Sequence, residues 1–261
     1  MHVKTPQEFV SKLLTDAKRV SIISDPQANI YLIDKPKSAN SFRAVSVLRK
    51  VLDIKRIGFS GTLDPLASGL LIMAAGRATR LLDWFHFLPK VYQADIIFGQ
   101  TSDTYDLEGR ISIKKDVEEF DKKFLDQQLR KFIGRQNQQA PIYSAKKVAG
   151  QKLHVLARQG KKINPPSKEV KIYGINIIDF SFPKLKIRVS CSAGTYIRSL
   201  AHDLGQTTKQ GALLGDLRRT AIGNFKVDQA IPLDKVDQKT LAKQAITAEE
   251  IIASLNQHFD L

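Results

Sequence analysis

Residues 58–69 constrain this chain most, because they read Gly-Phe-Ser-Gly-Thr-Leu-Asp-Pro-Leu-Ala-Ser-Gly and place one carboxylate among three glycines and a proline. Glycine permits backbone angles that other residues avoid and lets another backbone approach closely. The residue before a proline is pushed toward an extended conformation. Asp64 is therefore predicted to lie on a restricted loop that aims its carboxylate. The alternative is a tight turn in which Asp64 makes only local hydrogen bonds, which an isolated Asp-Pro would favour.

Positive charge is concentrated in one part of the chain. The 261 residues, 43% of them hydrophobic, are enough to bury a sizeable core and carry a net charge of +15. Residues 141–226 contain 16 Lys and Arg against 4 Asp and Glu, a net charge of +12. A polyanion such as nucleic acid is the natural partner of such a region. Charge alone also fits a generically basic protein without a specific partner.

The cysteines and histidines argue against a disulfide framework and a zinc site. Cys191 is the only cysteine, and the five histidines are scattered without zinc-like spacing. Residues 1–28 are too polar for a signal peptide, and the chain has no apolar run long enough for a membrane helix. We expect a metal-free protein in the reducing cytoplasm, with no membrane partner.

Hydrophobic periodicity predicts an α+β fold with a central mixed or antiparallel sheet flanked by helices and loops. Thr5-Pro6-Gln7-Glu8 is a typical helix start. Further helices are predicted over 41–51, 78–87, 117–133, 153–157 and 196–204, the last with Gly205 as its C-cap. Strands are predicted over 30–34, 70–75, 92–98, 170–180, 185–191 and 221–227. Residues 101–109 and 136–139 are predicted to be polar loops.

Three further segments combine aromatic and basic side chains. Ser-Ala-Gly-Thr-Tyr-Ile-Arg at 192–198 follows a predicted strand and opens a helix, with Tyr196 and Arg198 near its start. Tyr143 precedes Lys146 and Lys147, and Tyr92 begins a strand. Aromatic rings beside cations stack single-stranded RNA bases and hold phosphates. Each segment alone also fits ordinary packing at the rim of a core, and Arg198 alone fits a surface ion pair.

Taken together, five blocks of sequence resemble the TruB-type tRNA pseudouridine synthases. The chain matches this family in order over roughly residues 30–227. The blocks are Leu-Ile-Asp-Lys-Pro (32–36), the segment 58–69, Tyr92 through Gly-Gln-Thr (99–101) to Asp-Leu-Glu-Gly (106–109), Ala-Pro-Ile-Tyr-Ser-Ala-Lys (140–146) to Ala-Arg-Gln-Gly (157–160), and Gly-Thr-Tyr-Ile-Arg (194–198) to Asp-Leu-Gly (203–205) and Leu-Arg-Arg (217–219).

The resemblance implies a pseudouridine synthase catalytic fold and isomerisation of the uridine at position 55 in the tRNA T loop, without cofactor, metal or obligate protein partner. Asp64 is the implied catalytic carboxylate; stabilisation of a cationic sugar, attack on the base and proton abstraction from the sugar stay open as its task. Arg198 would pair with Asp64 and keep it ionised. Tyr92 would stack on the target base and move a proton. The implied substrate-binding residues are Phe59, Lys35, Tyr196, Leu217, Tyr143 and Lys146.

Two departures from the family pattern stand out. Phe59 occupies a position where the family commonly has a histidine that fills the gap left by the flipped base, and Phe can stack there but cannot hydrogen-bond. Residues 37–40 replace the family's glycine-containing turn. We expect a helical extension over 1–29, a catalytic domain over 30–230 and a short tail over 231–261, with no PUA-type RNA-binding domain.

Three alternative interpretations remain open from the sequence. The first is an enzyme of the same fold that acts on another RNA. The second is a non-catalytic protein that binds or folds RNA, against which the intact set of Asp64, Tyr92 and Arg198 argues. The third, glycosidase-like or phosphatase-like chemistry, requires a second carboxylate or a metal cluster. The clustered acids Asp103, Asp106 and Glu108 are predicted to lie on a solvated loop.

Overall fold

The computed structural model describes residues 16–114, 116–144, 147–148, 151–153, 155, 159 and 164–259. The helices are α1 (Asp16–Ile23), α2 (Ser41–Leu52), α3 (Leu82–Phe87), α4 (Lys122–Arg130), α5 (Ile197–Thr207), α6 (Gln238–Gln244) and α7 (Ala248–Phe259), with 3₁₀ turns at Gly76–Leu81, Val227–Gln229 and Leu233–Lys235. The strands are β1 (Asn29–Lys35), β2 (Ile57–Ser60), β3 (Ala67–Ala75), β4 (Lys90–Phe98), β5 (Gln100–Ser102), β6 (Ile111–Ile113), β7 (Gly134–Gln139), β8 (Lys147–Val148), β9 (Gln151–Lys152), β10 (Ser167–Ser181), β11 (Lys184–Cys191), β12 (Ala212–Ile222), β13 (Phe225–Lys226), β14 (Ile231–Pro232) and β15 (Ile246–Thr247).

The chain forms two compact units. The first unit takes the described residues up to 89 and from 219 onward, and the second unit takes residues 90–218. The mixture of strands and helices confirms the predicted α+β class. Among the described residues, every helix falls short of the length and apolar character that a membrane-spanning helix needs.

The first unit is built on a mixed sheet. Strand β1 pairs antiparallel with β3, with Ile33 opposite Leu71, and parallel with β14. Strands β2 and β15 join antiparallel to β3 and β1 respectively. Strand β3 is apolar along nearly its whole length because both of its faces are buried, as the apolar run over 70–75 predicts.

Two hydrophobic clusters cover the two faces of this sheet. Because successive side chains of a strand point to opposite faces, alternate residues of β1 and β3 enter different clusters. Ile30, Leu32, Leu70 and Ile72 pack in the cluster that includes Trp84 and Phe85, together with Ile251 and Ile252 of α7. Tyr31, Ile33, Leu71 and Met73 pack in the other cluster with Val45 and Leu48 of α2 and Leu241 of α6. Residues beyond 230 therefore contribute to both cores.

The second unit is built on antiparallel strands. Strand β11 pairs with β4, with Val189 opposite Tyr92, and with β10, which also pairs with β7. Buried and exposed side chains alternate regularly on β11, where Leu185, Ile187 and Val189 are buried between exposed cations. Helix α4 packs on β10 and α5 packs on β4.

Helix α4 is shorter than the predicted helix over 117–133. Asp121 caps it, since its carboxylate accepts a hydrogen bond from the backbone N–H of Phe124 at 2.8 Å. Phe120 instead joins an aromatic cluster, with its ring centroid 5.0 Å from Phe98 and 5.1 Å from Phe182. The apolar period before residue 121 thus reflects tertiary packing and not a helix.

Three other expectations were wrong in detail. Residues 136–139 belong to strand β7 instead of a loop. Helix α5 continues past Gly205 to Thr207, because Gly205 provides space where a side chain would overlap the backbone of Ala212. The strand predicted over 221–227 begins earlier, as β12, and folds back into β13.

Parts of the prediction are not tested. The helix that opens at Thr5 lies outside the described residues, and the helix over 153–157 lies largely outside them. The division at residues 29/30 and 230/231 stays a prediction.

Candidate active site

The loop that carries Asp64, residues 61–66, leaves strand β2 and returns into β3, and we call it the Asp64 loop. The Ser41 hydroxyl donates to the carbonyl oxygen of Leu63 at 2.9 Å and accepts from its N–H at 3.1 Å. The backbone N–H of Ser38 donates to the carbonyl of Pro65 at 2.8 Å, and that of Ala67 to the carbonyl of Asp64 at 3.0 Å. These bonds fix the backbone on both sides of Asp64, whose side chain stays partly exposed.

Arg219 links the start of the Asp64 loop to strand β3. Its side chain is buried, with Nη2 donating to the carbonyl of Gly61 and Nε to the carbonyl of Leu70, both at 2.8 Å. Gly69 has φ +106°, and a side chain there would overlap the Arg219 backbone. Only glycine allows this close approach, which explains the last glycine of the segment.

Phe59 and Lys35 also lie in the first unit. Phe59, on β2, is partly buried against the core cluster that contains Met73, and its ring meets that of Phe42 edge-on. Lys35 is fully buried and donates through Nζ to the carbonyls of Pro36 and Ala39 at 3.0 and 2.7 Å. These bonds hold the turn that precedes α2. The RNA-binding roles expected of Phe59 and Lys35 stay predictions.

In the second unit, Arg198 lies in the first turn of α5 and is buried. Its Nη1 is 3.4 Å from Oδ2 of Asp106 and donates to the carbonyl of Thr104 at 3.1 Å, and its Nη2 donates to the carbonyl of Tyr143 at 3.2 Å. The guanidinium group thus meets one carboxylate and two carbonyl oxygens in a fixed orientation. The expected pairing of Arg198 with Asp64 stays a prediction.

Asp106 corrects the expectation of a solvated acidic loop. Its side chain is 1% exposed, because Arg198 neutralises it and the hydroxyl of Thr104 and the N–H of Glu108 donate to Oδ1. A carboxylate is buried only when it is paired and hydrogen-bonded in this way. The sequence did not reveal the burial of Asp106, because the neighbouring acids, Asp103 and Glu108, are exposed as predicted.

The ring of Tyr105, which directly precedes Asp106, is held by stacking on a second ring. Tyr105, with φ +64°, stacks on His202 of α5 at a centroid distance of 3.9 Å and an interplanar angle of 16°. Burial lowers the pKa of His202, so its neutral form is favoured in this stack. Burial and the charge of Asp203 raise the pKa of Tyr105.

Strand β7 fixes the beginning of α5. The buried Gln138 side chain donates to the carbonyl of Tyr196 at 3.0 Å and accepts from its N–H at 2.7 Å. The Ser199 hydroxyl donates to the carbonyl of Gln139 at 2.9 Å. The polar strand that sequence reasoning took for a loop therefore positions Tyr196 and Arg198. The strand reads Gly-Arg-Gln-Asn-Gln-Gln, so its sequence carries no alternation of apolar and polar residues that could have revealed it.

The structure places the remaining predicted residues separately. Tyr92 is partly buried on β4, and Leu217 is buried on β12. Tyr143 is partly buried and contributes its carbonyl to Arg198. Lys146 lies outside the described residues. The described part of the chain contains no group of three or more His, Cys, Asp or Glu side chains able to hold a metal ion.

The arrangement offers a single accessible carboxylate on a rigid loop in the first unit and a buried, oriented cation in the second. A carboxylate held in this way suits chemistry at a cationic or electrophilic carbon. Side chains distant in sequence hold the backbone near each residue, since Ser41 bonds to Leu63 and Arg219 to Gly61 in the Asp64 loop. Gln138 bonds to Tyr196, two residues before Arg198.

Comparisons with known proteins show the family to which the chain belongs. A family model described as TruB family pseudouridylate synthase (N terminal domain) matches residues 49–197. A second, tRNA pseudouridylate synthase B C-terminal domain, matches residues 198–258. Proteins named tRNA pseudouridine synthase B are similar over most of the chain. That of Fusobacterium nucleatum is 42% identical over 76% of this chain and 69% of its own, and that of Clostridium novyi is 40% identical over 88% and 77%.

Solved structures show the same fold. A Cbf5-Nop10-Gar1 complex matches with a TM-score of 0.65 and 26% identity over 86% of this chain and 61% of the matched chain. An H/ACA RNP bound to a substrate RNA containing 2'-deoxyuridine matches with a TM-score of 0.59 and 26% identity over 79% of this chain and 51% of the matched chain. The chain thus spans between half and two thirds of the length of these two structural relatives.

Proposed function

The chain belongs to the TruB family of pseudouridylate synthases, and from this premise we propose that it acts on the uridine at position 55 in the T loop of tRNA, with Asp64 as its catalytic carboxylate. It is an isomerase that converts uridine in tRNA to pseudouridine. The observation that carries our assignment of Asp64 is the rigid, partly exposed loop held by Ser41 and Arg219.

The reaction explains why one carboxylate suffices. The bond between the sugar C1' and N1 of the base breaks, the base turns, and C1' bonds to C5, which loses its proton while N1 gains one. The isomerisation therefore needs no external oxidant or reductant. A negative charge beside the sugar stabilises the cationic character that develops at C1' as the bond to N1 breaks. A fixed loop spares the enzyme the cost of positioning that charge during the reaction.

We assign Arg198 the task of pairing with the Asp64 carboxylate, as the family resemblance implies. Asp106 and the carbonyl oxygens of Thr104 and Tyr143 would then act as its positioning groups. Tyr92 would stack on the target base after it leaves the T loop, and Tyr196 and Leu217 would line its pocket.

Exposed cations support binding of the tRNA T arm. In the second unit these side chains alternate with buried residues along β10 and β11 and extend to β7. They are Arg135, Lys168, Lys171, Lys184, Lys186 and Arg188. Cations on a rigid sheet attract phosphates without requiring a particular base sequence. We place the activity in the cytoplasm, where the tRNA substrate is available.

The direct test replaces Asp64 by asparagine, which keeps the shape of the side chain and removes its charge. We expect pseudouridine formation in unmodified tRNA to fall below detection, while the affinity for tRNA changes little, because many cations contribute to binding and one carboxylate performs the chemistry. Chemical mapping of pseudouridine and equilibrium binding measure the two effects.

Asp53→Asn is the matched control. Asp53 is exposed at the end of α2 with φ +53°, a conformation that asparagine also tolerates. This variant should convert uridine like the wild type. Wild-type conversion by Asp64→Asn would contradict the catalytic assignment, and pseudouridine at another position or in another RNA class would contradict the proposed target.

A further inference from the structure

An exposed aromatic ring lies beside the Asp64 loop. Phe42, in the first turn of α2, is 64% exposed. The preceding residue, Ser41, makes both hydrogen bonds to Leu63, which directly precedes Asp64. Phe42 is therefore attached to the same rigid support as the proposed catalytic carboxylate.

The position of Phe42 is fixed although its side chain is not buried. Its backbone N–H donates to Oδ1 of the capping residue Asn40 at 2.9 Å. Its ring meets that of Phe59 edge-to-face, with centroids 5.3 Å apart and an interplanar angle of 82°. Phe59 is itself packed against the core. The two rings are thus nearly perpendicular, and Phe59 anchors the ring of Phe42, which is largely exposed.

Core packing does not explain this exposure. Full burial of a phenylalanine is worth about 1.5–3 kcal/mol, and most of that gain is lost when the ring stays in water. Other exposed large apolar side chains of the described residues include Val20 in the first unit and Ile113, Tyr173 and Ile178 in the second. Phe42 is distinguished from these by its connection to the Asp64 loop.

The surroundings of Phe42 match the chemistry of a nucleobase. Exposed basic residues, Lys37 and Arg43, lie near it in sequence within the same turn and helix. A flat ring presented among cations binds a base by stacking while the cations attract its phosphates. Stacking of this kind requires an unpaired base, such as one in a loop.

We propose that Phe42 stacks on an unpaired nucleobase of the substrate RNA and that Phe59 holds its ring in place. This inference rests on the proposed function, because it takes RNA as the substrate. It adds a binding residue on α2 to those on the Asp64 loop. The contact supplies affinity and orientation, and it leaves the chemistry at Asp64 unchanged.

The experiment compares substitutions that keep or remove the ring. Phe42→Leu retains apolar volume without a ring, and Phe42→Trp retains a ring. Binding is measured with unmodified tRNA transcript in the Asp64→Asn background, where turnover does not alter the RNA. KM and kcat are measured in the wild-type background, and melting temperature in both. Val20→Ala is the matched control, since Val20 on α1 is an apolar side chain of the same unit and is 63% exposed, as Phe42 is, but carries no ring.

We expect Phe42→Leu to weaken tRNA binding about 5- to 150-fold, the range of one base–aromatic stack, and to raise KM with kcat retained. Phe42→Trp should bind within about twofold of the parent, since an indole ring also stacks. Val20→Ala should bind like the parent. Melting temperatures should stay within about 2 °C, as is usual for exposed positions in a chain of this size.

Three outcomes would overturn the proposal. One is unchanged binding by Phe42→Leu, with or without a lower melting temperature, which would make Phe42 a packing residue for Phe59. The second is equal weakening of tRNA binding by Val20→Ala. The third is equal weakening by Phe42→Trp, which would show that the ring is not what binds. Absence of pseudouridine in tRNA treated with the wild type would defeat the proposed function instead, and the binding series would still judge Phe42.

Discussion

The Asp64 loop and the Arg198 guanidinium group are held in place by different means. The loop is held through its backbone, by the neutral hydroxyl of Ser41 and by the guanidinium of Arg219 on two carbonyl oxygens. Arg198 is held through its side chain, by a buried carboxylate and two carbonyls. The first arrangement leaves the functional carboxylate partly exposed, whereas the second buries a charge that depends on its partner. We therefore expect the second to be the more fragile.

The largest effect is expected from breaking the ion pair. Asp106→Ala leaves Arg198 buried without its carboxylate, which should cost about 3–5 kcal/mol of the free energy of unfolding and greatly reduce turnover. Asp106→Asn keeps a hydrogen-bond acceptor and should cost less. Denaturant unfolding and single-turnover assays measure both variants. A loss below about 1 kcal/mol for Asp106→Ala would show that carbonyl oxygens alone hold Arg198.

A smaller effect is expected from the support of the Asp64 loop. A lysine at position 219 cannot span the carbonyls of Gly61 and Leu70 as the guanidinium fork does, so Arg219→Lys should lose about 1.5–3 kcal/mol of stability. Because the loop then moves relative to the substrate, kcat should fall while tRNA affinity is retained. Unchanged kcat would mean that Ser41 and Ser38 suffice to position Asp64.

The smallest effect concerns the ring stack beside Asp106, and it depends on pH. Since burial holds the pKa of His202 below the ordinary value of 6.5, the unfolded chain takes up a proton first as the pH falls. Stability is therefore fully present above pH 6.5 and decreases as the pH falls below it, until the depressed pKa is passed.

His202→Phe keeps a ring against Tyr105 and removes this titration. Burial raises the pKa of the neighbouring Asp203, which has the opposite effect at lower pH. Both proteins share that second effect, so the difference between their melting temperatures isolates His202. The difference should change between pH 7.5 and 5.5 in favour of His202→Phe. A constant difference across this range would contradict a role for the neutral imidazole.

Sequence patterns predicted the parts of the fold that depend on residues close together in the sequence. The apolar run of β3, the alternation of β11 and the glycine and proline content of the Asp64 loop each reflect their own backbone requirements. The family resemblance singled out Asp64 and Arg198. It did not reveal how either residue is held, because the supports come from elsewhere in the chain.

The features that the sequence did not predict depend on partners that are distant along the chain. Asp106 resembles a solvated acid until Arg198, 92 residues away, neutralises it. Gln138 resembles a loop residue until its amide pairs with the backbone of Tyr196. Arg219 was noted only as part of a motif, although it is buried beneath the Asp64 loop. Polar residues whose burial depends on long-range pairing give no periodic signal.

The order of synthesis has a consequence for the first unit. Its central strand β1 pairs with β14 and β15, which the ribosome makes some 200 residues later, whereas the second unit is one continuous stretch. Since domains fold as units while the chain emerges, the second unit can fold first, and the faces of β1 and β3 stay uncovered where α6 and α7 will pack. Chains stalled after residue 218 should therefore be cleaved by protease before residue 90 and resist cleavage beyond it. The proposed catalytic carboxylate, Asp64, is thus among the last parts of the protein to reach its final position.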